Sequence, residues 1–140
     1  MIYILDWITC CCYMALRRIK YSETGAETTA VANTSLIVGL LLISAFDIIL
    51  FLVSPELLQK LYHYGKLYYV ATLILSICLI YSRYYLLRKD AISIMEERFK
   101  KKKLTNVWIL NIIEWSILIF AFYLCYCTTD FIQSRGIVFR

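Results

Sequence analysis

One histidine, His63, and one proline, Pro55, occur in 140 residues. The lone histidine excludes a histidine-rich metal site. It also leaves catalytic base roles a single candidate, set in a Tyr62-His63-Tyr64 turn where a solvated residue is the simpler reading. There is no Gly-rich phosphate loop, nucleophile elbow, zinc-protease histidine pair or kinase signature, so no enzymatic activity is expected. Cys-x-x-Cys, the spacing that sets a thiolate beside a resolving thiol, is missing although the chain has six cysteines. Charge is scarce as well: 18% of residues are charged, against about 25% in an average soluble domain.

What is there instead is apolar. Hydrophobic residues make up 61% of the chain, which leaves too little polar surface to cover a water-soluble domain. The same arithmetic excludes disorder, collagen, a nucleic-acid-binding arm and a disulfide-stapled secreted module. The composition predicts an all-α integral membrane helical bundle, a single membrane domain over residues 1–140, with the lipid bilayer as its first partner.

Three runs are long enough to cross. Residues 34–54, 67–87 and 107–127 each offer about 20 apolar-rich positions, roughly the 30 Å of a hydrocarbon core. Ser54-Pro55 stops the first, because proline disfavours helical geometry in the residue before it and has no amide hydrogen. Aromatics flank the others: Tyr62, Tyr64, Tyr68, Tyr69, Tyr84 and Tyr85 around the second, Trp108 and Tyr126 around the third. Such rings are expected at headgroup depth. Residues 1–20 are shorter, with about 15 apolar positions reaching only roughly 22 Å. Asp6, Thr9, Tyr13, Arg17 and Lys20 recur there at helical spacing. The expectation is an amphipathic helix in the interface with that stripe toward water; a short fourth span is the alternative. Its positive charges follow the apolar run, the reverse of a secretory signal.

The connections carry their own signals. Thr24-x-x-Glu27 has capping-box spacing ahead of the first span. Ser54, Pro55 and Glu56 supply an N-cap, a first-turn proline and an acid that complements the dipole, opening a short helix that buries Leu57, Leu58 and Leu61 and ends at Gly65. Residues 88–104 contain no Gly or Pro, pair Glu96 with Lys100 and Glu97 with Lys101, and repeat Ile92, Met95 and Phe99 at 3–4 spacing. The second span is expected to continue through them as a cytosolic extension, followed by a basic turn and a cap at Thr105 or Asn106.

The net charge of +5 is topological. Arg17, Arg18 and Lys20, with the basic residues between 83 and 103, hold eleven of the fifteen Lys and Arg. They fall on one side whether or not residues 1–20 span. That side is expected to be cytoplasmic and the C-terminus external. Arg17, Arg18, Lys20, Arg98, Lys100, Lys101, Lys102 and Lys103 are candidate contacts for anionic lipid headgroups, with a solvated helix end as the plain alternative. No nucleic-acid partner is implied.

Two acids, Asp47 and Glu114, fall inside the predicted spans, where a carboxylate costs about 3 kcal/mol on insertion scales. Polar residues share their helical faces. Ser44, Asp47, Thr72, Ser76, Arg83, Asn111 and Glu114 predict one buried polar seam, with Arg83 reaching to Glu114. The seam reads either as interhelical glue or as a proton or ion path, and spacing does not separate the two. Cys10, Cys11 and Cys12 are candidates for acylation in a eukaryotic source, and Cys125 and Cys127 for oxidation; an ordinary small apolar residue is the simpler reading of all six, Cys78 included. Asn33-Thr34-Ser35 matches a glycosylation sequon on the predicted cytoplasmic face. No cofactor and no metal are expected.

In the Tyr-Ser-Arg-Tyr-Tyr stretch at 81–85, the Met-Glu-Glu-Arg-Phe segment at 95–99 and the polybasic turn after it, the chain resembles small uncharacterised three-span bacterial inner-membrane proteins. That resemblance implies a topology, an inner-membrane location and a long second helix, and transfers no activity. The expected function is that of a non-enzymatic assembly, anchoring or regulatory subunit, associated with itself or another membrane protein. A homo-oligomeric ion channel or proton-coupled transporter is the alternative, and an immunity-type protein against a membrane-acting toxin the third.

Overall fold

The computed structural model describes residues 2–19, 22–87, 90–101 and 107–137. Among these the fold is all-helical, with no strand. The helices are α1 (Ile2–Arg18), α2 (Glu23–Val53), α3 (Pro55–His63), α4 (Lys66–Ser82) followed by a π-helical turn (Arg83–Leu87), α5 (Ala91–Lys101) and α6 (Val107–Ser134). Three stretches are long and apolar enough to cross a membrane: Glu23–Val53, Leu67–Leu86 and Asn111–Ser134. The third continues about two turns past the residue 127 expected from composition.

The long helix α2 is the organising element, and its chemistry changes along its length. Residues 23–35 are rich in Thr, Ala and Glu, whereas 36–53 are apolar apart from Ser44 and Asp47. The Ser22 hydroxyl caps its start by accepting from the Gly25 amide at 3.2 Å, so the helix begins ahead of the expected Thr24 box. At the other end the Ser54 amide still donates to Leu50 O at 2.8 Å, and Pro55 then opens α3. Gly65, at φ 52°, provides the left-handed residue that turns the chain into α4. The buried face of α3 is Leu58 and Tyr62; Leu57, expected beside them, is exposed.

Contacts fix the directions. Tyr68 meets Asp47, Ser76 meets Ser35 and Tyr81 meets Thr28, so α4 runs antiparallel to α2. Asn33 meets Glu114, Leu40 packs with Ala121 and Phe51 with Phe131, so α6 runs parallel to α2 and in step with it. Two helices thus flank α2 with alternating direction. On α2, α4 and α6 the outward positions are apolar, including Phe46, Leu52, Val70, Ile74, Ile119 and Phe122. Between α2 and α4 the approach is close: a Cβ at Gly39 would lie 2.7 Å from both Leu73 Cδ2 and Ser76 Oγ.

The N-terminal helix departs from expectation. Residues 8 to 13 are six consecutive buried positions, a pattern possible only for a helix enclosed on every side. Antiparallel to α2, α1 is covered by α2, α5, α6 and the π-helical turn. Asp6, Thr9 and Tyr13, three members of the stripe expected to face water, are therefore buried. Arg17 and Arg18 alone of its basic residues are described, and both are exposed; Lys20 lies outside the described residues.

The segment after α4 departs too. The second long helix does not run straight on: α5 is a separate helix whose repeated Ile92, Met95 and Phe99 are buried against α1, with Phe99 6.1 Å from the Trp7 ring centroid. The apolar spacing along 92–99 records this docking. The expected cap at Thr105 or Asn106 lies outside the described residues.

Candidate functional site

The residues expected to form one seam fall into three separate polar clusters with partners from other helices. In the first, Arg83 Nη2 meets Asp6 Oδ1 at 2.5 Å, and the Tyr84 hydroxyl donates to the same oxygen at 3.1 Å. Consecutive residues of the π-helical turn therefore grip one acid, and the Arg83 guanidinium also lies 5.5 Å from the Tyr84 ring centroid. π-Helical turns are uncommon and often accompany such specialised placements. Thr9 Oγ1 lies 2.9 Å from the Tyr84 hydroxyl and 2.8 Å from Thr34 Oγ1, linking α1, α2 and the turn through buried hydroxyls.

The second cluster is Glu114, Asn33 and Cys12. Asn33 Nδ2 donates to Glu114 Oε1 at 3.1 Å and lies 3.3 Å from Cys12 Sγ. Asn111 is half-buried one turn earlier on α6. Arg83 meets Asp6 on α1 and Glu114 meets Asn33 on α2, in place of the expected pair between Arg83 and Glu114. Burial, reinforced by neighbouring negative groups, pushes the Cys10 and Cys11 thiols up to about 12. Cys12 is raised by burial first and by its hydrogen bond to Glu114 second. All three stay protonated at neutral pH and face protein, which leaves them neither reactive nor presented to lipid.

The third cluster surrounds Asp47, whose side chain is fully buried. Tyr62 from α3 donates to Oδ2 at 2.9 Å, and Tyr68 from α4 donates to Oδ1 at 3.2 Å. Burial, and then the adjacent carboxylate, raise the Tyr62 phenol well above its ordinary value, so it remains a donor. Tyr69 packs on both rings, at 6.4 Å from Tyr62 and 5.4 Å from Tyr68. Ser44 lies one turn before Asp47 and bonds back to Leu40 O at 3.0 Å. Thr72 bonds back to Tyr68 O, also at 3.0 Å, and Ser76 crosses to Ser35 O on α2 at 3.1 Å.

Ser44, Asp47, Thr72, Ser76 and Glu114 are thus all buried, with Arg83 and Asn111 half-buried. The partners that hold them were mostly missed. Tyr62 and Tyr84, assigned by sequence to an interfacial belt, are buried hydrogen-bond donors. Asp6 and Thr9 were singled out, but a polar stripe on an apolar helix has the same spacing whether it faces water or a partner. Asn33 and Thr34 carried no signal beyond the sequon.

Of the basic candidates, Arg17, Arg18, Arg98, Lys100 and Lys101 are exposed, and Lys100 pairs with Glu96 at 2.8 Å as the i,i+4 spacing predicts. Lys102 and Lys103 lie outside the described residues. Among the described residues no group of three His, Cys, Asp or Glu side chains is placed to hold a metal ion. Compared with known proteins, the chain matches no family model, no curated protein and no solved structure.

Proposed function

We propose that the chain is a non-enzymatic integral protein of a bacterial inner membrane, serving as an anchoring, assembly or regulatory subunit. In this reading α2, α4 and α6 cross the bilayer, while α1, α5 and the first turns of α2 and α6 form a small cytoplasmic head. Their alternating directions suit three successive crossings, and their outward apolar residues suit lipid contact. The excess of Lys and Arg supports a cytoplasmic head and an external C-terminus.

The apolar part of α2, residues 36–53, has a length of roughly 27 Å at 1.5 Å per residue, close to a hydrocarbon core. Glu114 lies beside Asn33, just before that run and near the start of the candidate span Asn111–Ser134. Asp47 lies about 16 Å into it. There it meets the insertion penalty of an acid, and two tyrosine hydroxyls offset part of that penalty.

One observation carries the glue reading over the conduction reading. Each of the three buried acids, Asp6, Asp47 and Glu114, is held by a side chain from another helix. Groups engaged in this way hold helices in register. In reconstituted vesicles, Asp47→Asn and Glu114→Gln are expected to leave proton and ion flux at the wild-type level while lowering unfolding stability by about 1–2 kcal/mol each. A robust wild-type flux abolished by either variant, with folding preserved, would replace the anchor with a channel or proton-coupled transporter.

A further inference from the structure

Beside its apolar outward positions, α6 carries a stripe of different character. Ile112, Ser116, Ile119, Tyr123, Tyr126 and Asp130 follow one another at alternating spacings of four and three residues, and all six are exposed. Positions spaced in this way line a single face of a helix, the seam along which two helices interdigitate at a crossing angle of about +20°. Glu114, Ala121, Thr128 and Ile132 are buried on the opposite face, so the rest of the bundle stands behind the stripe.

Lipid is a poor neighbour for it. Tyr123 lies at the middle of the candidate span Asn111–Ser134, with Tyr126 about one turn further on, and the two are 64% and 69% exposed. The Tyr126 hydroxyl meets no hydrogen-bond partner among the described residues, and Tyr123 meets the sulfur of Cys127, a weak acceptor. Helical side chains lean toward the start of their helix, which carries the Tyr126 ring toward the middle of the span and away from its Ser134 end. In hydrocarbon such hydroxyls lose their bonds to water and gain none in return.

We infer that this stripe of α6 is the interface of a parallel homodimer, occupied by a second copy of the chain related by a twofold axis along the membrane normal. The inference rests on the membrane reading above and adds the partner and the surface that receives it. Two copies inserted in one bilayer share an orientation, so α6 meets α6 with each residue level with its counterpart. A phenol hydroxyl both donates and accepts, which lets tyrosine pair with tyrosine. Symmetry thus supplies hydroxyls at matching levels, whereas an unrelated helix would have to carry them at the same spacing. Ser116 already donates to Ile112 O at 2.7 Å and acts as the small residue where the two helices approach. Asp130 closes the stripe, and the hole that receives it is formed in part by Tyr126 and Gln133 of the other copy, both hydrogen-bond donors.

The test uses the full chain in two settings. In phosphatidylcholine vesicles, energy transfer between labelled copies is followed as the ratio of protein to lipid is varied, and wild type is expected to associate. Tyr123→Phe/Tyr126→Phe, which keeps both rings, is expected to weaken association at least about fivefold. Ser116→Trp should abolish it, and Ile74→Trp on the outward face of α4 should leave it unchanged. All of these positions are exposed, so the variants retain the fold. In the membranes of expressing cells, a benzophenone photo-crosslinker in place of Ile119 is expected to give a product of two chains, and one in place of Ile74 to give lipid adducts. A monomer at every ratio, association that survives Ser116→Trp or the loss of both hydroxyls, or equal loss with Ile74→Trp would overturn the inference. So would a crosslink from position 119 to lipid alone or to a foreign protein. Recovery of the chain without detergent as a water-soluble particle would instead overturn the membrane reading.

Discussion

Asp6 and Arg83 stand 77 positions apart in the chain and meet inside it, with side-chain exposures of 3% and 17%. An ion pair so enclosed has lost most of its hydration, and removing one partner leaves the other charged without compensation. Asp6→Asn is expected to destabilise the protein by about 2–3 kcal/mol, somewhat less than for a fully enclosed pair because Arg83 keeps some access to solvent. Combined with Arg83→Gln in a double-mutant cycle read by unfolding in mixed micelles, it should show a coupling well above 0.5 kcal/mol. The same cycle between Arg83 and Glu114 should show none. Coupling of the second pair without the first would contradict the arrangement in which Arg83 meets Asp6 and Glu114 meets Asn33. Neither partner of Asp6 was legible beforehand, since residue spacing reports which face of a helix a side chain occupies and is silent about what stands opposite.

At the scale of the helices, most boundaries followed from local chemistry. Ser54-Pro55 separates α2 from α3, and Gly65 separates α3 from α4, because each enforces or permits a backbone conformation that no neighbour can supply. The packing of α2 on α4 depends on a similarly local feature. Gly39 lets the two backbones approach so closely that Leu73 and Ser76 occupy the space a Cβ would need, and Ser76 can then reach the Ser35 carbonyl. Gly39→Leu is expected to cost about 2–3 kcal/mol in the same unfolding assay, with Gly39→Ala milder because the Leu73 side chain can shift. An unaltered stability for Gly39→Leu would mean that the helices are not in this register. The placement of α5 was the least legible element. Its 3–4 spacing of Ile92, Met95 and Phe99 announced an apolar face, yet a helix continuing into water and a helix folded back on α1 require the same pattern.

For the whole molecule, the decisive property is how the basic residues are distributed along it. Arg17, Arg18, Arg98, Lys100 and Lys101 are exposed on α1 and α5, and Lys60 is exposed on α3, which follows the far end of α2. In intact spheroplasts an amine reagent unable to cross the membrane is expected to modify Lys60 and to spare Lys100 and Lys101 until lysis, as read by peptide mass spectrometry. Modification of the two α5 lysines before lysis would invert the orientation. Glu114, inside the candidate span Asn111–Ser134, lies level with Asn33, three residues ahead of the uninterrupted apolar run of α2. A helix considered singly has no reference for depth; two helices packed in step have one another.

Composition and the lengths of three apolar runs were enough to establish a helical protein with three segments able to cross a membrane, because satisfying backbone groups in a greasy chain is a local requirement met within each helix. Which polar residues would meet was decided only by tertiary packing. The enclosure of α1, the pairing of Asp6 with Arg83 and the capture of Asp47 by two tyrosines all depend on how helices distant in sequence are turned toward one another. That rotation is set by the sum of many weak contacts across interfaces, and no single stretch of the chain encodes it.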